Sequence, residues 1–263
     1  MKIGIRGTYG VEDAVATFKE DVDRYKPLGF EGLELCVIGK DRTRKAYDRL
    51  TDADVRAIRE IAAGAGMEVA SLSADWLWGY GAAKPQLAQW DDVVDGIGRD
   101  VALAKELGAK TVLIHFGGAT GSWSEARSVL ERMAAAAHEV GNGEVRLGYE
   151  ASIFRRSGLG GLLEVKRMID EVDSPALGVY EHPHYPRAGV AAHEEIELFG
   201  PRLCGLHLGR LDQVEIDWPR FLGALRRYYE GYIIFECGYD VARQNKEILE
   251  RALAAEPGIR RGA

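Results

Sequence analysis

Leu-Gly-Tyr-Glu, residues 147–150, is the first of four short segments that decide the fold. The other three are Glu-His-Pro-His at 181–184, Gly-Leu-His-Leu at 205–208 and Ile-Phe-Glu-Cys at 234–237. They recur roughly every 30 residues, which is the length of one strand plus one helix. Each places a carboxylate or an imidazole beside an apolar run, so the segments predict polar strand ends on a repeated strand–helix unit.

Eight short runs rich in Val, Ile and Leu are typical of parallel strands that are buried on both faces. They are Lys2–Arg6, Gly32–Cys36, Glu68–Leu72, Thr111–Phe116, Val145–Glu150, Ala176–Tyr180, Leu203–Leu208 and Tyr232–Glu236. Helical patterns alternate with them, following Gly10, starting at Thr51, covering Asp91–Leu107, Ser122–Val140, Leu162–Val172 and Ala192–Phe199, starting at Asp217, and covering Asp240–Leu253. This strict alternation predicts an α/β protein with one TIM-barrel domain, a (β/α)8 barrel over residues 1–263.

The main rival fold is a doubly wound open sheet, which usually carries a glycine fingerprint after its first strand. Here that position reads Arg6-Gly-Thr-Tyr-Gly10, which is not G-x-G-x-x-G. The barrel is therefore the favoured architecture.

Composition narrows the class of protein. The chain has 263 residues, 46% of them hydrophobic, and a formal net charge of −7. The acidic balance disfavours a nucleic-acid partner, which normally needs a basic face. No apolar run approaches the roughly 18–20 residues that span a bilayer, and the N-terminus enters a strand pattern at once, so we expect no membrane association and a cytoplasmic location. The three cysteines have no C-x-x-C spacing and are expected to be free thiols.

Five neighbouring strand ends of the predicted barrel carry groups that can bind a metal ion. The catalytic residues of such barrels lie at the C-terminal ends of the strands. These ends hold His115, Glu150, Glu181 with His184, His207 and Glu236. Buried carboxylates are costly without a cation or a hydrogen-bond partner. The predicted metal ligands are Glu150, Glu181, His207 and Glu236, a set that favours one Mn²⁺ or Mg²⁺ ion, with Co²⁺, Zn²⁺ or Fe²⁺ left open.

The segment Ser73–Gln89 contains Trp76 and further aromatic residues after the third strand. Aromatic rings stack on sugars, so this segment is predicted to bind substrate or to close over it. The alternative is a loop that its tryptophans anchor to the barrel. Arg6, at the end of the first strand, is a second candidate for the pocket, and Asp41–Lys45 is predicted to be a solvated loop.

Seven stretches spread over nearly the whole chain resemble one known family. They are Gly29–Glu34, Gly108–His115, Tyr149–Glu150, Glu181–His184, Gly205–His207, Ile216–Leu222 and Phe235–Glu236. Together they are similar to the xylose isomerase-like TIM-barrel superfamily, which includes sugar and sugar-phosphate isomerases and epimerases and the AP endonuclease family 2. Glu181 departs from this pattern, because the family has Asp at the corresponding position.

The resemblance implies a metal-dependent sugar isomerase or epimerase that transfers a proton through a metal-stabilised enediolate. Glu150 and Glu236 would be catalytic, acting on opposite faces of the sugar. The predicted substrate-binding residues are His184, His115 and Arg156, together with Trp76 and Arg6 from the aromatic segment and the first strand end. Arg156 stands where ketose 3-epimerases carry a second glutamate, which hints at a different or anionic substrate. A homodimer or homotetramer is also implied.

Three other functions stay open at the level of the sequence. A lyase or dehydratase acting on a cyclic polyol or sugar derivative would use the same base and metal. A non-catalytic sugar-binding member is suggested by the departures at Glu181 and Arg156. An abasic-site endonuclease is disfavoured, because Ala74 stands where a histidine is expected and Asp212-Gln213 gives no Asp-x-His pair.

Overall fold

A computed structural model describes residues 1–77, 89–115, 122–150, 158–183 and 189–256. Eight parallel strands close into one barrel in chain order, which confirms the predicted (β/α)8 architecture. The strands are β1 (Lys2–Arg6), β2 (Gly32–Cys36), β3 (Glu68–Ser73), β4 (Thr111–Ile114), β5 (Arg146–Tyr149), β6 (Leu177–Glu181), β7 (Leu203–Leu208) and β8 (Tyr232–Phe235).

Eight helices within the described ranges follow the strands. They are α1 (Ala14–Tyr25), α2 (Asp52–Ala65), α3 (Gln89–Leu107), α4 (Trp123–Gly141), α5 (Gly158–Val172), α6 (Ala192–Phe199), α7 (Trp218–Tyr228) and α8 (Tyr239–Ala255). Their starts follow the sequence signals, because the side chains of Thr51, Ser122 and Asp217 each accept a backbone N–H of the first helical turn. None of the helices in these ranges is long and apolar enough to cross a membrane.

The interior of the barrel holds the ring of Tyr180, which is 1% exposed and packs with Leu113 and Ile234. Gly148 and Gly205 make room for it. A Cβ atom on Gly148 would lie 2.9 Å from Tyr180 Cδ2, and one on Gly205 would overlap the ring. The Tyr180 hydroxyl then donates to Glu34 Oε2 over 2.8 Å. The hydroxyl of this interior ring therefore contacts a charged side chain near the C-terminal ends of the strands.

Side-chain alternation along the strands sets which residues face the C-terminal mouth. Residues two apart on a strand point to the same face. On β6, Tyr180 points into the barrel, so His182 follows it inward and Glu181 falls on the opposite face. The pairs Gly148 with Glu150 and Gly205 with His207 follow the same rule.

Candidate metal and catalytic site

The mouth of the barrel holds a set of charged side chains that we call the mouth cluster. Its members come from all eight strands or from the one or two residues that follow them: Arg6, Glu34, Asp75, His115, Glu150, His182, His207 and Glu236. All are at most 5% exposed, except Glu236, whose side chain is 28% exposed. Burial of so many ionisable groups requires that they compensate one another or bind a cation.

Glu150 follows β5 and is fixed by β4. Its backbone N–H donates to Ile114 O over 2.9 Å. Its Oε2 lies 2.6 Å from His115 Nδ1, and His115 Nε2 lies 3.2 Å from Asp75 Oδ1. The imidazole of His115 therefore orients Glu150 from one side of the mouth.

His182 lies between two carboxylates. Its Nδ1 is 3.4 Å from Glu150 Oε1 and 3.3 Å from Glu236 Oε2. Its ring centroid lies 5.5 Å from that of His207. Glu150, His182 and His207 each offer one ligand atom, and these atoms lie within 4.8 Å of one another. That spacing suits a shared divalent cation.

Glu34 fixes the orientation of His207 from below. Glu34 Oε1 lies 2.9 Å from His207 Nε2, and Glu34 Oε2 accepts the hydroxyls of Ser71 and Tyr180 over 2.7 and 2.8 Å. Burial raises the pKa of Glu34, but His207, Arg6 and Ser71 together outweigh burial and lower that pKa to about 2.

An ionised Glu34 accepts the proton on Nε2 of His207, which leaves the lone pair on Nδ1. Nδ1 is buried, has no hydrogen-bond partner among the described residues, and lies 4.0 Å from Glu236 Oε2. A buried imidazole nitrogen beside carboxylates fits a metal ligand, so the residues present fit a divalent cation.

Arg6 is the cation of the cluster. Its two terminal nitrogens bind Glu236 and Asp75, and its Nε lies 3.4 Å from Glu34 Oε1. Burial lowers the pKa of Arg6, but the surrounding carboxylates outweigh burial and raise that pKa well above its usual value. The pKa of Asp75 is lowered, because Arg6 and His115 outweigh the effect of its burial. Arg6 therefore helps to hold Asp75 in its charged form.

A family model described as xylose isomerase-like TIM barrel matches residues 22–256. The chain belongs to this family. No curated protein sequence matches it.

Solved structures of related shape add to the family match. D-psicose 3-epimerase from Clostridium cellulolyticum H10 aligns over 97% of this chain and 96% of its own, with 16% identity and a TM-score of 0.69. E. coli 3-keto-D-glucoside 4-epimerase aligns over 96% and 98%, with 16% identity and a TM-score of 0.67. An L-ribulose 3-epimerase aligns over 100% and 99%, with 15% identity and a TM-score of 0.71. At these identities the likeness establishes the shared fold.

The xylose isomerase-like barrel brings most of the predicted site residues together. Glu150, His207, Glu236, His115 and Arg6 all lie in the mouth cluster. His184 and Arg156 fall outside the described residues, as does most of the aromatic segment. The ligand set of Glu150, Glu181, His207 and Glu236 stays a prediction.

Glu181 and Trp76 are placed differently from the other predicted residues. Glu181 ends β6, is 3% exposed, and its Oε1 accepts the backbone N–H of His182 over 2.9 Å. It is not part of the described group of Glu150, His182 and His207. Trp76 is 2% exposed, and its indole N–H donates to Asp100 Oδ2 on α3 over 2.7 Å. Trp76 thus fits the alternative of a tryptophan that anchors its loop to the barrel.

The predicted site left out three members of the mouth cluster, Glu34, Asp75 and His182, although Glu34 was recognised as lying near the end of the second strand. A usable signal was present for Glu34, since a glycine stands two residues before it, as before Arg6, Glu150 and His207. The sequence indicated His182 less clearly, because the family motif assigns functional roles to its neighbours Glu181 and His184.

Proposed function

We propose that this chain is a divalent-metal-dependent sugar isomerase or epimerase that moves a proton at a carbon next to a carbonyl. One observation carries the proposal. Glu150 and Glu236, from β5 and β8, both lie beside His182 Nδ1, at 3.4 and 3.3 Å, and both belong to the same mouth. Two carboxylates at one site are what proton removal and return require. The similarity to three solved sugar epimerases supports the same reaction class.

Each carboxylate has its own support. His115 orients Glu150 through the 2.6 Å contact with Oε2, and Arg6 holds Glu236. Glu150 is 4% exposed, whereas the side chain of Glu236 is 28% exposed. In this proposal one carboxylate removes the proton and the other returns a proton to the reacting carbon. Positioning by buried partners is what makes a carboxylate an effective base for a weak carbon acid.

Glu150 and His207, whose ligand atoms lie within 4.8 Å of each other, would hold the cation together with Glu236, whose Oε2 lies 4.0 Å from His207 Nδ1. A bound divalent cation supplies Lewis acidity, which offsets the negative charge that develops on the substrate oxygens. Glu34 and Arg6 contribute by keeping His207 and Glu236 in place before the sugar arrives. This pre-organisation would give the site its chemistry without a large movement of the described strands.

A panel of ketoses, aldoses and their phosphates in D₂O tests the proposal. We expect deuterium to enter one carbon-bound position of a substrate, and we expect exchange to stop after chelation and to resume when a divalent metal is returned. The mass of the product distinguishes epimerisation from dehydration, since an epimer has the mass of the substrate whereas a dehydration product has lost one water molecule. Sugar binding without exchange on any member of the panel would overturn the enzyme proposal and indicate a binding protein.

A further inference from the structure

The end of β6 presents an imidazole to the metal-binding atoms. Tyr180 occupies the barrel interior, so alternation turns His182 inward and Glu181 to the other face. Glu181 Oε1 accepts the N–H of His182 over 2.9 Å, which keeps that carboxylate beside its own backbone. The position on β6 that faces the metal-binding atoms is therefore occupied by an imidazole, whose nitrogen can bind a metal ion.

We propose that His182, rather than Glu181, is the fourth protein group on the metal, and that the site is thereby tuned toward Zn²⁺, Co²⁺ or Fe²⁺ and away from Mn²⁺ and Mg²⁺. The inference deepens the proposed function, because it rests on the cation assigned there to Glu150, His207 and Glu236. Its evidence is the position of the imidazole, which lies 3.4 Å from Glu150 and 3.3 Å from Glu236.

Ligand chemistry gives the direction of the selectivity. Mg²⁺ and Mn²⁺ prefer carboxylate, carbonyl and water oxygens, whereas imidazole suits Zn²⁺, Fe²⁺ and other later metals. Three carboxylates with one imidazole would carry three negative charges. His182 in place of Glu181 gives two carboxylates and two neutral nitrogens, so the set has one negative charge fewer. The extra imidazole and the smaller negative charge both weaken the binding of Mg²⁺ and Mn²⁺ more than the binding of Zn²⁺, Co²⁺ or Fe²⁺.

The second imidazole is held ready for the same role. Glu34 fixes His207 with its lone pair on Nδ1, on the side that faces Glu236 Oε2 at 4.0 Å. The two rings meet edge to face, with an interplanar angle of 71°. Both imidazoles therefore approach the carboxylates without stacking face to face on each other.

A metal competition on the whole chain tests the inference without any measurement of turnover. The chelator-treated protein is dialysed against equimolar Zn²⁺, Co²⁺, Mn²⁺ and Mg²⁺, and bound metal is measured by mass spectrometry. Zn²⁺ binds most sites more tightly than Mn²⁺ whatever the ligands are, so the decisive quantity is the change between variants. We expect His182→Asp to lower the ratios of Zn²⁺ to Mn²⁺ and of Co²⁺ to Mn²⁺ by about tenfold or more.

Two matched variants complete the competition. Glu181→Gln should leave the ratios unchanged, and so should His193→Asp, which makes the same exchange in α6, away from the mouth. Unchanged ratios in His182→Asp, or changed ratios in Glu181→Gln, would overturn the inference.

A spectrum of the wild-type protein covers the case in which His182→Asp does not fold. Proton NMR of the Co²⁺-loaded chain should show two strongly shifted, exchangeable imidazole N–H signals, one from each ligand. A single such signal would contradict a ligand role for His182. A site that keeps two imidazole signals but never catalyses sugar exchange would overturn the proposed function alone. Sugar exchange with one signal would overturn this inference alone.

Discussion

Two buried arginines of this chain neutralise carboxylates in different ways. Arg6 lies at the barrel mouth and contacts Glu34, Asp75 and Glu236. Arg44 lies outside the barrel, where its Nε donates to Asp100 Oδ1 over 2.8 Å and a terminal nitrogen binds Asp48. Arg6 is 5% exposed and Arg44 is 7% exposed. The prediction of a solvated loop over Asp41–Lys45 is thus wrong for Arg44.

The pKa values of the buried carboxylates in the two regions shift in opposite directions. Burial is the largest effect on both Glu34 and Asp100 and raises the pKa of each. Glu34 gains His207, Arg6 and Ser71, and its pKa falls to about 2. Asp100 gains Arg44 and the indole of Trp76, while Asp48 opposes them, and its pKa rises to about 6. The donors and charges around a buried carboxylate therefore decide the pH at which it ionises.

The largest expected effect lies at the mouth. Glu150→Gln and Glu236→Gln should each lower kcat by about 10²–10⁴-fold, because each removes one of the two groups that we propose to transfer the proton. This loss of kcat is measured as the rate of deuterium exchange into whichever sugar of the panel the wild-type protein turns over. Glu68→Gln is the control, since Glu68 pairs with Lys2 at the opposite end of the barrel over 2.5 Å. A small effect of both site variants would break the assignment of the mouth as the catalytic region.

Removal of the two arginines compares the regions directly. Arg6→Met should lower the free energy of unfolding by about 3–5 kcal/mol, because it leaves buried carboxylates without their cation. Arg44→Met should cost less at pH 5, where a proton on Asp100 can replace the missing charge. Urea unfolding at pH 5 and pH 7.5 measures both. If each variant lost the same free energy of unfolding at pH 5 as at pH 7.5, the proposed difference between the Arg6 and Arg44 regions would be contradicted.

Asp100 gives the outer region a pH dependence with a definite sign. Its pKa is raised from 3.8 to about 6, so between these values the folded state binds more protons than the unfolded state. The free energy of unfolding therefore falls as pH rises from about 4 to 6, by up to about 3 kcal/mol from this group. Asp100→Asn should flatten that slope, whereas Asp23→Asn, in an exposed pair with Lys19, should retain it.

The smallest expected effect concerns Trp76. Trp76→Phe removes the N–H that donates to Asp100 and should lower the free energy of unfolding by about 1–2 kcal/mol. The KM for the active sugar should not change. A raised KM at unchanged stability would return Trp76 to the substrate-binding role that the sequence predicted.

The fold was predictable because it depends on apolar runs and their spacing, which the sequence shows directly. The meeting of Glu150, His207 and Glu236 followed from the same spacing, since parallel strands end at one rim. The contributions of Glu34 and His182 depend on the phase of side-chain alternation. Register shifts at Leu33/Glu34 and Val179/Tyr180 set that phase relative to the neighbouring strands, and sequence spacing does not reveal them.

Trp76 shows a second limit. The direction of its ring is decided by Asp100, which lies 24 residues further along the chain, and by Gly96, where a Cβ atom would come within 2.7 Å of the ring. An aromatic residue in a loop beside a pocket predicts sugar stacking equally well whether the ring turns toward the pocket or away from it. Only the packing of α3 separates the two outcomes.

Tyr180 also determines how molecules travel to and from the chemistry. Its ring fills the axis of the barrel between Gly148 and Gly205, and its hydroxyl is engaged by Glu34. Under the proposed function, a sugar could therefore not pass through the barrel at this point and would arrive and depart by the same rim. A product molecule would then have to leave through this rim before the next substrate molecule could enter, so product release could limit the rate of turnover.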